Sequence, residues 1–337
     1  MQSRMVGVAL GAAMLASVGQ APVCAQTPQP FYKGKTMTLY VSGPPGSGYD
    51  LYARLFARRF SSHLPGAPTV IVSNVPGAAG IFCANQVYNI AAKDGTALGL
   101  IRQSIAEEQV FQTDGVRYDV LKFNWIGRIA SNVEMTYVWH TVPVKTIDDV
   151  KTRETIIAAG GGSTETFPAV LNSIIGTRFK LVKGYYATPP AELAVERGEV
   201  EGSFGSVSTM LTTHRDWMEN KLITILVQYA LARHSVLPDV PAVVELAKTS
   251  EDRSLVEFLA NASAIGRSIV APPDVPAARV AELRDAFDAT MKDPEFVDDM
   301  RRTGADLSPA TAEELRTVIA NTVGVSAATR ARAEAFR

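Results

Sequence analysis

The chain alternates short apolar runs with glycine- and proline-rich breaks, each followed by apolar residues at helical spacing. Thr38-Leu39-Tyr40-Val41 has the composition of a buried strand, and residues 42–48 hold too much glycine and proline to continue it. From Tyr49 the period changes, with Leu51, Leu55, Phe56 and Phe60 falling on one helical face and Asp50 placed as an N-cap or first-turn acid. Strand, glycine-rich turn and helix start, in that order, leave backbone N–H groups unpaired around one point, which suits an anion. The same order also describes a plain βα connection.

The plan recurs along the chain. Residues 70–72 read as a strand, 74–80 as a turn and 81–90 as a helix. Residues 97–101 form a third strand that ends at Arg102, Gln103 and Ser104. An arginine there either reaches a ligand carboxylate or lies in solvent; Gln103 shares its position and is kept as a candidate site residue. Residues 123–142, dense in Trp, Ile, Tyr and Val and broken at Ser131-Asn132, read as two strands that carry the chain to a second unit. That unit repeats the logic: a strand over 155–159, a glycine turn over 160–164 that makes a second cradle, and a helix over 165–175. Strands over 179–182, 200–204 and 222–227 follow, with a proline-started helix over 189–196. After the rigid Leu237-Pro238-Asp239-Val240-Pro241 loop come two helical patterns, then a strand over 264–270 that can return to the first unit. The end is helical over 277–291, 295–302 and from 311, and charges such as Arg279, Glu282, Arg284 and Asp285 are expected on a solvated helix face. Successive βα units imply parallel sheets with their loops gathered at the C-terminal strand ends, and two such lobes facing one another.

At 337 residues and 47% hydrophobic content the chain can fill two cores. Its 33 basic against 34 acidic residues leave no positive surplus for nucleic acid or an anionic membrane. Residues 1–25 read as an export signal: Arg4, an uncharged apolar run over 5–18, and the small Val23-Cys24-Ala25, with cleavage expected after Ala25. The run is shorter than the roughly 20 residues that span a bilayer, so a soluble periplasmic product is expected. The residues before Cys24 lack the leucine pattern of a lipidated cysteine, and once the signal is cut Cys83 stands alone as a small core residue. His63, His140, His214 and His234 are far apart and show no metal-ligand spacing, and Gly46-Ser47-Gly48 leads to Leu51 instead of the glycine of a dinucleotide fingerprint. No metal and no cofactor are expected. Spacing alone permits a hydrolase built on Ser47 or Ser163, because its histidine and acid can come from anywhere in the chain.

The motifs in sequence resemble the periplasmic solute-binding proteins of tripartite tricarboxylate transporters, the Bug family. The resemblance runs over nearly all of the chain after the signal. It rests on Met37-Thr38-Leu39-Tyr40-Val41, Gly46-Ser47-Gly48-Tyr49-Asp50 and Ala53-Arg54, then on Asn74-Val75-Pro76-Gly77-Ala78-Ala79-Gly80 and Asp94-Gly95-Thr96-Ala97-Leu98. Gly184-Tyr185-Tyr186, Arg197-Gly198-Glu199-Val200-Glu201-Gly202 and residues 237–241 continue it. It implies an α/β two-lobed periplasmic binding protein of type II-like fold with a central hinge, residues 26–130 forming the first part of lobe 1, 131–263 lobe 2, and 264–337 the return to lobe 1 with the C-terminal helices. It further implies a monomer, not an enzyme, that closes around a small organic carboxylate and delivers it to membrane permease subunits. The implied ligand loops of the first lobe comprise Ser42, Gly43, Gly46, Ser47, Gly48, Tyr49 and Asp50, together with Gly77, Ala78, Ala79 and Gly80. The facing lobe would add Gly162, Ser163, Thr164, Tyr185, Tyr186 and Ser203. Ser47 and Ala79 stand where the family carries glycine, and Gly48 and Tyr49 replace small residues. Tyr49 either stacks on the ligand, which directs the expectation to an aromatic or medium-sized carboxylate, or packs on its own helix. Two other functions fit the same cradles: an exported hydrolase or lyase acting on a small carboxylate, and the ligand-binding partner of a sensor kinase.

Overall fold

In the computed structural model, which describes residues 29–185 and 188–337, eleven strands fall into two sheets. The expected export signal and Tyr186 lie outside the described residues. The strands are β1 (Thr36–Val41), β2 (Thr69–Asn74), β3 (Ala97–Ile101), β4 (Asn124–Ala130), β5 (Glu134–Trp139), β6 (Thr155–Ala159), β7 (Phe179–Lys183), β8 (Gly202–Ser206), β9 (Ile223–Tyr229), β10 (Arg267–Ala271) and β11 (Ala310–Thr311). The first sheet has the order β11-β4-β10-β3-β1-β2 and the second β7-β6-β8-β5-β9. Strands β1, β2 and β3 run parallel, as do β6, β7 and β8, while β10 is inserted antiparallel between β3 and β4.

Burial follows the periodicity of the sequence. Met37, Leu39 and Val41 of β1 are fully covered on alternate positions, and the helix Gly48–Phe60 lays Tyr52, Ala53, Leu55, Phe56 and Phe60 against the same core. Phe56 stacks on Phe60 at 4.6 Å between ring centres and leans on Phe287 of the helix Ala277–Lys292. Cys83 is buried, as its apolar surroundings predict, and that burial pushes its thiol up to about 12.

Of the two places open to Asp50 the structure takes the second: it is the first-turn acid, and Ser47 caps the first helix, its Oγ accepting the Asp50 N–H at 3.3 Å. Local chemistry corrects three other expectations. The helix expected over 81–90 is α-helical only over Ile81–Asn85 and widens to a π-turn over Gln86–Ile90. Asn85 and Asn89, whose amides donate to Gly115 O and Arg117 O, tie that turn to the following loop. The first of the two helical patterns after Pro241 is only the 3-10 turn Val243–Glu245; the second is the long helix Ser250–Ile265. Arg284 is not merely solvated: its Nε and Nη2 donate to Trp125 O in β4 at 3.1 and 2.9 Å.

The two sheets meet at a pair of chain crossings. One leads from β4 to β5 through Ser131, Asn132 and Val133, and the other leads from the helix Ser250–Ile265 through Gly266 into β10. The Asn132 N–H donates to Ser263 O at 3.1 Å, bonding one crossing to the other. Gly266 has φ +52°, and a Cβ there would lie 2.3 Å from Ala130 O. Any side chain at this position therefore carries both left-handed strain and a backbone clash. Gly266→Ala is expected to cost about 3 kcal/mol or more in urea unfolding. A loss below about 1 kcal/mol would mean that the crossings slide apart freely.

Candidate ligand-binding site

Between the two sheets lies a cavity of about 490 Å³, within the range of small-molecule sites. Its walls come from the start of the helix Gly48–Phe60, the end of β3 and the helix Ile105–Val110 on one side. The loop after β6, the start of the helix Ser163–Ile175 and strand β8 face them, with Asn132, Glu134 and Arg267 at the crossings. Of the expected site residues, Gly48, Tyr49, Ala79, Gln103, Gly162, Ser163, Thr164, Tyr185 and Ser203 line this space. Ser42, Gly43, Gly46, Ser47, Asp50, Gly77, Ala78 and Gly80 stand behind it, and Tyr186 is outside the described residues.

Asp50 explains why most of the first loop lies back from the cleft. Its carboxylate accepts from Gly46 N–H at 2.9 Å, from Arg54 Nε at 2.9 Å and from Asn74 Nδ2 at 3.0 Å, so the protein supplies its own anion to that turn. Burial alone would raise this carboxyl, but the bonds from Arg54, Gly46 and Asn74 outweigh it and hold it down to about 2. The N–H groups of Gly48 and Tyr49, which do line the cleft, have no acceptor among the described residues. The same holds for Gly161, Gly162, Ser163 and Thr164 on the facing side, where Thr164 Oγ1 closes the glycine loop by donating to Gly161 O and accepting from Gly160 N–H, both at 2.9 Å.

The second loop of the first lobe, Gly77 to Gly80, is a left-handed turn: φ is positive at all four residues, including Ala78 at 45° and Ala79 at 51°. Ala79 reaches the cavity and its carbonyl accepts from Ser104 Oγ at 3.3 Å, while Gly80 packs so tightly under Arg102 that a Cβ would lie 2.5 Å from the Arg102 Cβ. Tyr49 is held on its own lobe, its Oη accepting the Gln103 N–H at 3.2 Å and its ring lying 5.8 Å from the Arg102 guanidinium and 5.4 Å from that of Arg267.

Four residues that line the cavity escape a pattern reading: Arg267, Asn132, Glu107 and Glu134. Arg267 opens β10, whose other residues Ser268-Ile269-Val270-Ala271 are uncharged and buried, and a charge in a strand buried on both faces is the signal that would have found it. It is 3% exposed, lies 4.3 Å over the Tyr52 ring and donates from Nη1 to Asn132 Oδ1 at 2.7 Å. Its Nε has no partner, and no carboxylate among the described residues pairs with it. Gly48 leaves the room it needs: a Cβ there would sit 3.1 Å from Arg267 Nη2. Burial, and then the neighbouring carboxylates of Glu108 and Glu134, push the Glu107 carboxyl well above the usual range, with Arg337 pulling the other way. Burial raises Glu134 too, against a hydrogen bond from Ser163 and the charge of Arg102. Of the two serines that spacing left open as nucleophiles, Ser47 accepts the Asp50 N–H and Ser163 bonds Glu134; neither hydrogen-bonds a histidine among the described residues.

Two α/β lobes enclosing a cleft of unclaimed backbone donors and one buried guanidinium define a two-lobed periplasmic binding protein. Residues 53–329 match the tripartite tricarboxylate transporter family receptor, and the chain belongs to that family, whose members are receptors and not enzymes. Among curated proteins no sequence matches. The fold is similar to that of a TctC solute-binding protein from Polaromonas solved without ligand, at TM-score 0.67 and 20% identity, covering 90% of this chain and 98% of that one. It is also similar to a Rhodopseudomonas palustris protein solved with adipate (TM-score 0.64, 19% identity, 89% and 98% covered). MatC of Rhodopseudomonas palustris with bound malate is a further likeness, at TM-score 0.60 and 18% identity with 86% and 97% covered.

The self-supplied anion yields a pH prediction. A folded value of about 2 against an ordinary 3.8 means that Asp50 contributes stability that is full above pH 4 and is lost as pH falls through about 2. Asp50→Asn is expected to lower stability by roughly 2 kcal/mol at pH 7, with the gap to the parent closing as urea titrations are taken from pH 4 toward pH 2. A gap that stays constant over that range would show that Asp50 does not hold the loop by its charge.

Proposed function

We propose that the protein is an exported receptor that captures a small organic carboxylate in this cleft and delivers it to the membrane permease of a tripartite tricarboxylate-type transporter. The observation that carries the reading is Arg267, a buried guanidinium at the base of the cleft without a carboxylate partner among the described residues. A buried cation costs several kcal/mol to desolvate unless an anion meets it, and a ligand carboxylate supplies that anion through charge-assisted bonds. The unclaimed N–H groups of Gly48, Tyr49 and residues 161–164 add donors for its remaining oxygens. Family membership supports the same role, as do similar folds determined with malate and adipate. A cavity of about 490 Å³ suits a medium-sized or aromatic carboxylate.

In this reading residues 26–130 and the return that starts at 264 move as one lobe against 131–263, with the C-terminal helix Ala327–Glu334 held on the second side by Ala333 in its core and by Arg332 on Asp252. Ligand bound between the lobes favours the closed form. Contacts that span the sheets, Tyr52 Oη to Ser208 Oγ at 3.3 Å and His234 to Asp306 at 3.5 Å, would part on opening. Residues 1–25 direct export, the mature receptor acts as a monomer, and no bond is made or broken in the ligand. Thermal unfolding against dicarboxylates, tricarboxylates, aromatic acids, amino acids and neutral sugars tests it. Some carboxylates are expected to stabilise by about 2.7 kcal/mol at a hundredfold excess over Kd and to be recovered unchanged. Arg267→Met is expected to weaken the effective ligand at least about thirtyfold. Stabilisation by sugars alone, by nothing, or with ligand turnover would overturn the reading.

A further inference from the structure

The charged inventory of the cleft is two-sided. Arg267 and Arg102 face it as cations, and Glu107 and Glu134 face it as acids, while Glu108 is already paired with Arg337 at 3.0 Å. Glu107 belongs to the helix Ile105–Val110, which follows β3 of one sheet, and Glu134 opens β5 of the other; both line the same cavity, and the charge of Glu134 is felt at Glu107. Glu107 Oε1 is covered and accepts no hydrogen bond. The amide oxygen of Gln103, a residue only 8% exposed, is equally covered and equally unpartnered, and it lines the same space. Ionised carboxylates only accept, and burial opposes that ionisation at both acids, so a cation beside them is what lets them carry their charge, as an anion beside Arg267 answers its unpaired guanidinium.

A simple dicarboxylate answers one of these needs and aggravates the other. It would place a second negative group among two buried acids, where like charges repel strongly because little water screens them. We infer that the ligand is an ammonium carboxylate, an amino acid or a related zwitterion, whose carboxylate is bound by Arg267 and whose ammonium group is bound between Glu107, Glu134 and the Gln103 amide oxygen. The inference rests on the carboxylate-receptor reading and narrows it. Three N–H donors on one compact cation match three acceptors, and the ligand adds no net charge to the cleft. The ammonium also supplies the positive charge that lets buried acids on both walls of the cavity ionise, so the contact that selects the ligand draws on residues from both sheets.

Titration calorimetry with matched pairs tests this: succinate with aspartate, glutarate with glutamate, butyrate with 4-aminobutyrate, and 3-phenylpropionate with phenylalanine. The amino member of at least one pair is expected to bind at least about tenfold tighter than its partner, and Glu134→Gln and Glu107→Gln are each expected to bring that ratio close to one. Glutamine keeps the shape of the side chain, and thermal unfolding of each variant verifies that it folds. Should only one variant fold, it decides the outcome alone. Tighter binding of the members without an amino group, or an amino preference untouched by the folded variants, would overturn the inference and leave the carboxylate receptor standing. Failure of every member of every pair, with binding by no other carboxylate, would overturn the receptor reading itself.

Discussion

A single buried guanidinium holds the molecule together at the place where its two sheets join. Arg267 leaves the second crossing, donates to Asn132 of the first, and lies over Tyr52 of the helix that packs on β1. The bond from Asn132 N–H to Ser263 O and the close pass of Gly266 beneath Ala130 fix the spacing that makes this possible. An arginine in such a position is costly to bury, and the stacking and single hydrogen bond offset only part of that cost. The remainder is left as unmet hydrogen-bonding capacity on a side chain that lines the cleft, so in the proposed receptor the geometry of the crossings and the affinity for a ligand depend on the same residue.

The two anion cradles, alike in sequence, have diverged in use. Each is a strand, a glycine-bearing turn and a helix start, yet in the first the helix carries an aspartate that turns back onto the loop, and in the second the side chain that turns back is the neutral hydroxyl of Thr164. Glu165 instead pairs with Lys183 of β7. The facing loop therefore keeps the donors of 161–164 free without an anion of its own, while the first ties Gly46 N–H to Asp50 and leaves Gly48 and Tyr49 open. Asymmetry between the lobes arises from the placement of one carboxyl group.

Much of this architecture is legible in the residues. The strands over 97–101 and 155–159 appear with the expected ends, the break at Ser131-Asn132 is the crossing, and the alternating burial of β1 is written in Met37, Leu39 and Val41. The family resemblance, drawn from short motifs in order, agrees with the family to which the chain belongs. What a linear reading does not resolve is which side of a loop faces inward: Gly46 and Gly48 are two residues apart, but only Gly48 reaches the cavity, because the Asp50 bond turns Gly46 away. Nor does it bring together Glu107, Glu134 and Arg267, which are remote along the chain and meet only through the packing of two sheets. Residues of that kind are marked in a sequence only by their discordance, a charge where the surrounding pattern asks for an apolar side chain.

The bond network around Asp50 has a kinetic side. A binding loop that becomes ordered only around its ligand must surrender its freedom at each encounter, which slows productive association and weakens affinity. Here Arg54, Asn74 and Gly46 lock the loop during folding, with a carboxylate of the chain acting as permanent counter-ion. The entropy of that segment is lost once per protein lifetime instead of once per captured molecule, leaving encounter and lobe closure as the steps that time each round of capture.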